Sequence, residues 1–422
     1  MGYWVHFLED DNKKIFIPLK IAVIGGGAAG FFAAIHAARQ GNQVTIYEKT
    51  SKLLSKVRIS GGGRCNVTHR PMEISKLVKN YPRGEKFLKR VFRHFDQKDT
   101  FTWFESRGVK LKVEEDGRVF PVSDDSSSIV DALLKEARER NVRIETGMAL
   151  NAIQTNSNGL ELQFEHEKIK VDAVILATGG NPKISGYHFL DGLNHQIKSP
   201  IPSLFTFNTP AEPIRKLMGL SVPQAHVRLE STKLSYSGPL LITHWGISGP
   251  AVLKLSAFGA DWLHECKYEA RAVINWNGNF KEIEYEEQLR NYQKAHPNRL
   301  IKNYPLFGIP GRLWEHFLER AEIGELDSFG NFSKKQLNKL VQNLFCYILT
   351  IKGKTTFKEE FVTAGGVDLS GIHPETMESI YHPNIYFSGE VLNIDGITGG
   401  FNFQAAWSTG YLAGVSSIRH SI

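Results

Sequence analysis

The chain is short of cysteine, of charge imbalance and of long apolar runs, and each shortage removes a class of protein. Only Cys65, Cys266 and Cys346 occur in 422 residues. They form no C-x-x-C pair, which argues against the pyridine nucleotide-disulfide reductases, and they are too scattered for a disulfide framework or a zinc site. The net charge of +7 comes from 51 basic against 44 acidic residues interleaved along the chain. That pattern is a solvated surface with room for an anionic ligand, and no nucleic-acid partner is expected from it. Residues 1–20 mix Glu9, Asp10 and Asp11 with apolar residues, which is not the pattern of a secretory leader, so a cytoplasmic location is expected. Hydrophobic content of 41% and charged content of 23% are those of an ordinary globular chain, which excludes extended disorder. The length exceeds what one hydrophobic core supports and predicts two or three domains.

The longest apolar stretch, IAVIGGGAAGFFAAIHAA at 21–38, falls just short of the roughly 20 residues needed to span a bilayer. It is mostly Gly and Ala, so no membrane partner is expected. Its internal order is strand, turn, helix: Ile21 to Ile24, then Gly25, Gly26 and Gly27, then helix formers from Ala28 to Arg39. The spacing is G-x-G-x-x-G at Gly25, Gly27 and Gly30. In that motif the first glycine makes a tight turn, the second admits a pyrophosphate to the backbone, and the third allows close packing, with the helix N-terminus facing the phosphates. A second strand, Gln43 to Tyr47, ends at Glu48, where an acid accepts hydrogen bonds from a ribose 2′-hydroxyl and repels a 2′-phosphate.

Downstream, three glycines between Ser60 and Arg64 make a loop able to lie against a flat ring or a phosphate, with Lys56, Arg58 and Arg64 supplying charge. Cys65 is expected to be a small packed residue beside the ring, since no resolving cysteine lies nearby. Glu85 to Arg107 and Ser127 to Arg140 are expected to be helical, around a hairpin turning at Asp116-Gly117. Short strands with turns at Asn156 to Gly159 and near Glu167 then lead to an apolar strand, Ala173 to Ala177, ending in Gly179-Gly180. From Ser199 to Asn279 short β runs alternate with breaks, and Ile283 to Gln293, Gly311 to Ala321 and Ser333 to Ile351 are expected to be amphipathic helices. In GISGPAVLKLSAF, Ser248 is a plausible N-cap with Pro250 in the first turn.

Seven motifs in order, VIGGGAAG (23–30), ISGGGRCNVTH (59–69), GRVFPVSDDSSSIVDALL (117–134), ATGG (177–180), THWGISGPAVLKLS (243–256), VTAGGVDL (362–369) and YFSGEVLNIDGITGGFNFQAAWSTGYLAG (386–414), resemble a bacterial flavoprotein family that includes an aminoacetone oxidase and flavin reductases of bile-acid metabolism. The resemblance implies an α/β fold: an FAD-binding Rossmann-like three-layer domain with an antiparallel β-meander crossover, plus an inserted β-rich, barrel-like domain with a helical subdomain. The implied division is a discontinuous FAD domain from 1–195 and 355–422, a β-rich insert at 196–280 and its helical part at 281–354. The chain departs from the family at NPKISGYHFLDGLNH after A-T-G-G, so the resemblance carries the cofactor and not the substrate.

The expected FAD contacts are Gly25, Gly27, Ala28, Ala29, Gly30, Glu48 and Lys49 from the first nucleotide unit, and Lys56, Gly63, Arg64, Cys65 and Asn66 from the glycine loop. Ala149, Ala177, Thr178 and Gly179 are expected at the meander and second strand end. Gly389, Glu390, Asp395, Gly399, Gly400, Phe401, Asn402 and Gln404 complete the set at the C-terminus. A helix from about Asn402 to Ala413 is expected to aim its N-terminus at the flavin ring, where its field of ~0.3 to 2 kcal/mol favours the reduced form. Because about 1.4 kcal/mol over two electrons equals roughly 30 mV, such a field tunes the potential. His244 and Trp245 are the expected substrate-side pair, and no metal is expected. With no second strand-glycine-helix unit to hold a nicotinamide, NAD(P)H is expected only as a transient visitor. The chemistry expected is FAD-dependent hydride transfer with a small organic substrate, with oxygen or NAD(P)H as the second partner. The alternative is a flavoprotein that binds or acts on RNA or a protein partner, its FAD structural or redox-sensing.

Overall fold

The computed structural model describes residues 18–39, 41–156, 159–355 and 362–417. The acidic stretch at 9–11 and part of the turn at 156–159 therefore lie outside the described residues. Ile21, Ala22, Val23 and Ile24 are an unbroken apolar run and are all buried, as a strand covered on both faces requires. That strand, Lys20–Ile24, is the middle of a five-stranded parallel sheet, ordered Ile385–Phe387, Ala173–Leu176, Lys20–Ile24, Gln43–Glu48, Arg143–Thr146. The sheet thus joins strands from both ends of the chain. An antiparallel meander, Ala152–Asn156, Gly159–Gln163 and Lys168–Val171, packs against the central strands on one side. Helices Ala28–Ala38 and Phe401–Ser416 form the layer on the other.

Those two helices touch backbone to backbone. A Cβ on Gly410 would lie 2.7 Å from the Ala29 carbonyl oxygen, and one on Gly414 only 2.5 Å from that of Ala33. Because the contacts advance together along both chains, the helices run side by side in the same direction. Gly414→Ala is therefore expected to cost about 1–3 kcal/mol by forcing the pair apart; an unchanged melting temperature would contradict this packing.

The expected helix Glu85 to Arg107 is two helices, Glu85–Val91 and Gln97–Glu105. Asp96 breaks it by accepting from the backbone of Lys98 and Asp99 in a capping box. The hairpin at Asp116-Gly117 is present as Leu111–Val113 with Arg118–Pro121, extended by Thr68–His69.

A two-stranded ribbon, Ile197–Ser203 with Val362–Val367, leads into the insert. There, seven strands run from Tyr347–Lys352 at one edge to Lys354–Thr355 at the other. Only Gly353, at φ 91°, separates those two edge strands in the chain, so the sheet curls back on itself into a barrel. The helices Glu282–Ala295, Gly311–Arg320 and Lys334–Phe345 bury their apolar faces in the same core as the barrel. Two expectations fail here. The helix expected over Ser333 to Ile351 stops at Phe345, because from Tyr347 the burial alternates, with Tyr347, Leu349 and Ile351 inside and Ile348 out, which is a strand period. Ser248 does not cap the following helix: it lies in the strand Gly246–Ser248, bonded to Thr206, and Gly249 is the N-cap before Pro250.

Candidate cofactor and active site

Parallel strands place all their C-terminal ends on one edge, and the chain leaves that edge at Gly25, Glu48, Ala177 and Ser388. Ligands in open α/β sheets bind in that crevice. The three motif glycines divide their work. Gly25, at φ 115°, has no room for a Cβ, which would meet the Ala177 carbonyl oxygen at 2.3 Å. A Cβ on Gly30 would meet the carbonyl oxygen of Gly25 at 1.9 Å. At Gly27, by contrast, a Cβ would meet nothing within 4 Å. Gly27 is the N-cap of the first helix and no side chain caps it, so its first N–H groups stay open to an anion. Gly62, Gly63 and Gly179 likewise face open space. This cradle is the shape a dinucleotide needs.

The second helix end lies beside it. The C-terminal helix begins at Phe401 with Gly400 as an uncapped N-cap. From the pairing of Gly410 with Ala29, its start projects beyond that of the first helix by eight residues, about 12 Å at 1.5 Å per residue. Two helix N-termini without side-chain caps are thus staggered side by side. Glycine again makes the approach: Gly400 has φ 87°, and a Cβ there would strike the Thr68 carbonyl oxygen at 2.3 Å. With its amide oriented to satisfy both ends, Asn66 donates to the Thr68 carbonyl and accepts from the Gly400 N–H, both at 2.9 Å. The His69 ring stacks on Phe401 at 4.8 Å and its Nδ1 meets the Gly399 carbonyl at 3.1 Å. The Tyr81 hydroxyl donates to the Phe401 carbonyl at 2.7 Å. Asn402 clamps the loop by accepting from the Gly396 N–H and donating to the Gly396 carbonyl.

Several expected contacts occupy the crevice. Glu48 Oε1 accepts from the Thr50 N–H at 2.9 Å and the Thr50 hydroxyl at 3.0 Å, while Oε2 accepts from the Gly26 N–H at 2.8 Å and keeps a second lone pair. Ala149 and Lys49 are exposed nearby, and Met148 N–H donates to the Glu48 carbonyl. Ala28 and Thr178 are half-buried, while Ala29 touches the space a Cβ on Gly389 would need, at 2.7 Å. Lys56 and Glu390 pair at 2.5 Å, across three strand positions or about 14 Å, in front of the first helix. Glu390 holds the Lys56 ammonium above its usual range.

Four expectations need correction. Cys65, Asp395 and Gln404 have no exposed surface with which to touch a ligand. Gln404 accepts from Thr68 and Thr100 and donates to Ser408 inside the core. Asp395 is held by Arg83 and Ser203. Burial pushes the Cys65 thiol up to about 12. A thiol reagent at pH 8 is therefore expected to leave one of the three cysteines untouched in the native protein while the half-exposed Cys266 and Cys346 react; fast modification of Cys65, mapped by mass, would refute its burial. Arg64, the fourth, has its guanidinium already engaged, bonding Glu114 at 2.7 Å and lying 3.9 Å over the Phe120 ring.

His244 and Trp245 form an exposed turn on the insert, their rings 4.3 Å apart. Among the described residues, no side-chain hydrogen bond or ring contact ties them to the strand-end loops. Sequence reasoning gave no role to His69, Tyr81 or Arg83. His69 ends the ISGGGRCNVTH run, and Tyr81 and Arg83 precede the expected helix at Glu85, but nothing local signals partners more than 300 residues away.

The fold and crevice define an FAD-dependent oxidoreductase of the Rossmann class. The chain belongs to the HI0933-like protein Rossmann domain family, whose pattern it matches over residues 19–416. It is 30% identical to a 3-dehydro-bile acid delta(4,6)-reductase from Clostridium scindens, over 94% of this chain and 98% of that protein. It is 28% identical to ribosomal RNA dihydrouridine synthases from Haemophilus influenzae, over 94% of this chain and 98% of the relative, and from Escherichia coli, over 92% and 95%. A 3-ketosteroid-delta4-(5alpha)-dehydrogenase from Rhodococcus jostii shares the fold, with a TM-score of 0.50 and 13% identity, over 97% of this chain and 99% of that one. Among the described residues, no helix is long and apolar enough to cross a membrane, and no group of three or more His, Cys, Asp or Glu could hold a metal.

Proposed function

We propose that this protein is an FAD-dependent reductase that saturates a carbon–carbon double bond conjugated to a carbonyl. The observation that carries the reading is the pair of staggered, uncapped helix N-termini at Gly27 and Gly400 along one crevice. FAD bound in this crevice would supply the hydride for the alkene carbon β to the carbonyl, with a proton from water completing the α carbon, and transient NAD(P)H would supply the hydride that restores the reduced cofactor. The chain's own groups bind and orient. Gly27 and the first helix take the pyrophosphate, with Glu48 at the ribose and Lys56 and Glu390 across the mouth. The Gly399–Phe401 turn, braced by Asn66, His69 and Tyr81, directs a helix field that favours electron-rich ring states.

Support for the acceptor chemistry comes from the relatives' names. A 3-oxo-Δ4,6 bile acid and a uridine both present an alkene conjugated to a carbonyl. A small enone is the first reading, and His244 and Trp245 are proposed to meet it from the insert. The second is a uridine in RNA, favoured by the two relatives named for ribosomal RNA; the distributed charge weighs against it.

The test is anaerobic. NADH or NADPH is expected to bleach the flavin band, and cyclohex-2-enone or 4-androstene-3,17-dione to restore it with a saturated ketone as product. Restoration by a ribosomal RNA fragment with loss of uridine would select the second reading. Bleaching by small amines with rapid recovery in air, and none by either nicotinamide, would overturn both in favour of an oxidase.

A further inference from the structure

The hydrophobic cores of the nucleotide sheet and of the barrel are separate clusters, and among the described residues the insert meets the first through Ala257, beside a small apolar cluster of Ile201, Ala260 and Ala364. Beside it sits one buried cation. Arg83, its side chain 13% exposed, donates from Nε to Asp395 Oδ1 at 2.5 Å and from Nη2 to Asp395 Oδ2. The same Nη2 donates to the Ala257 carbonyl of the insert at 2.9 Å, and Nη1 reaches exposed Asp261 at 3.3 Å. Ser203, the last residue of the entering ribbon strand, donates to Asp395 Oδ2 at 2.7 Å.

Both ends of this network lead somewhere. Asp395 opens the loop Gly396–Gly400, and residues 80–84 hold that loop from below: Ile397 N–H donates to the Asn80 carbonyl, Tyr81 to Phe401, and Arg83 bridges Asp395 in an antiparallel pair. The ribbon also grips the preceding stretch, since the Gly365 N–H donates to Asn393 Oδ1 and Asn393 N–H to the Val367 carbonyl. A planar bidentate fork fixes both distance and angle, which a lysine ammonium does not.

We propose that Arg83 is a positioning residue that locks the Asp395–Phe401 loop to the insert, so that the placement of the barrel sets the placement of the loop facing the flavin ring. This rests on the reading of that loop as the flavin-side element. Any change in the insert's seating, such as a substrate would bring, reaches the ring through Ser203, Asp395 and Arg83.

The experiment compares Arg83→Lys, Ser203→Ala and the double variant Arg83→Met/Asp395→Leu, which replaces the pair without stranding a buried charge. In apoprotein, amide exchange of Gly396–Phe401 is expected to rise at least tenfold in Arg83→Lys and about threefold in Ser203→Ala, with the insert helix Gly311–Arg320 unchanged. In holoprotein, dye-equilibrated anaerobic reduction is expected to show a shifted flavin band and a tenfold weaker preference for the reduced form, about 30 mV for a two-electron couple. A stable Arg83→Lys protein with wild-type loop exchange, band and potential would overturn the proposal, whatever its melting temperature. Wild-type loop exchange in Ser203→Ala would overturn the link to the insert. Should Arg83→Lys not fold, the double variant decides by the same readouts. Failure of wild-type holoenzyme to reduce any enone would sink the proposed reaction and leave these measurements of Arg83 standing.

Discussion

Gly27→Val is expected to purify as folded, colourless protein. Its N-cap backbone, at φ −94° and ψ −170°, is extended geometry that a β-branched residue adopts readily, and a Cβ there meets no protein atom within 4 Å. The added methyl groups therefore fill only the open space proposed for the pyrophosphate. Affinity for FAD is expected to fall at least a hundredfold, about 3 kcal/mol, with the circular dichroism unchanged. Gly30→Val makes the contrast, because its Cβ would sit 1.9 Å from the Gly25 carbonyl oxygen and the turn itself must break. A fully yellow Gly27→Val protein would show that the phosphates lie elsewhere.

Asp395→Ala is expected to be the most destabilising single change near the site. It removes the partner of a guanidinium that is almost fully buried and leaves the Ser203 hydroxyl without its acceptor. Breaking a buried pair by deleting one side costs about 3–5 kcal/mol, because the stranded charge stays desolvated. The measurement is the urea midpoint of apoprotein, and Asp395→Asn, which keeps the size and one acceptor oxygen, is expected to recover part of the loss. A loss of under about 1 kcal/mol, the scale of an exposed ion pair, would mean that water reaches Arg83 and that the joint with the insert is open in solution.

Much of the crevice was legible in the residues. Gly25, Gly27 and Gly30 are spaced for a strand-turn-helix, and the structure gives Gly25 and Gly30 a steric reason while leaving the space around Gly27 open. Glu48 closes the second strand where its period predicts, and the hairpin at Asp116-Gly117 turns where its residues demand. What was not legible depends on distant partners. Asp395 and Gln404 look like polar residues of a ligand loop, and nothing local shows that Arg83, Thr68 and Thr100 have already claimed them. Tyr347 to Lys352 continued a helical pattern until barrel neighbours imposed a period of two. The role of His69 was not legible, since its stacking partner, Phe401, is supplied by the other end of the chain.

The sequence by itself determined the local geometry of the glycine turn and of the helix start that follows it, because turns, caps and glycine conformations depend on a few neighbouring residues and their φ and ψ values. Tertiary structure alone decided which polar side chains remain free for a ligand, and how the barrel is pinned to the loop at the second helix end. Those outcomes follow from burial and pairing between segments hundreds of residues apart, where one buried guanidinium must find its carboxylate or not be buried at all.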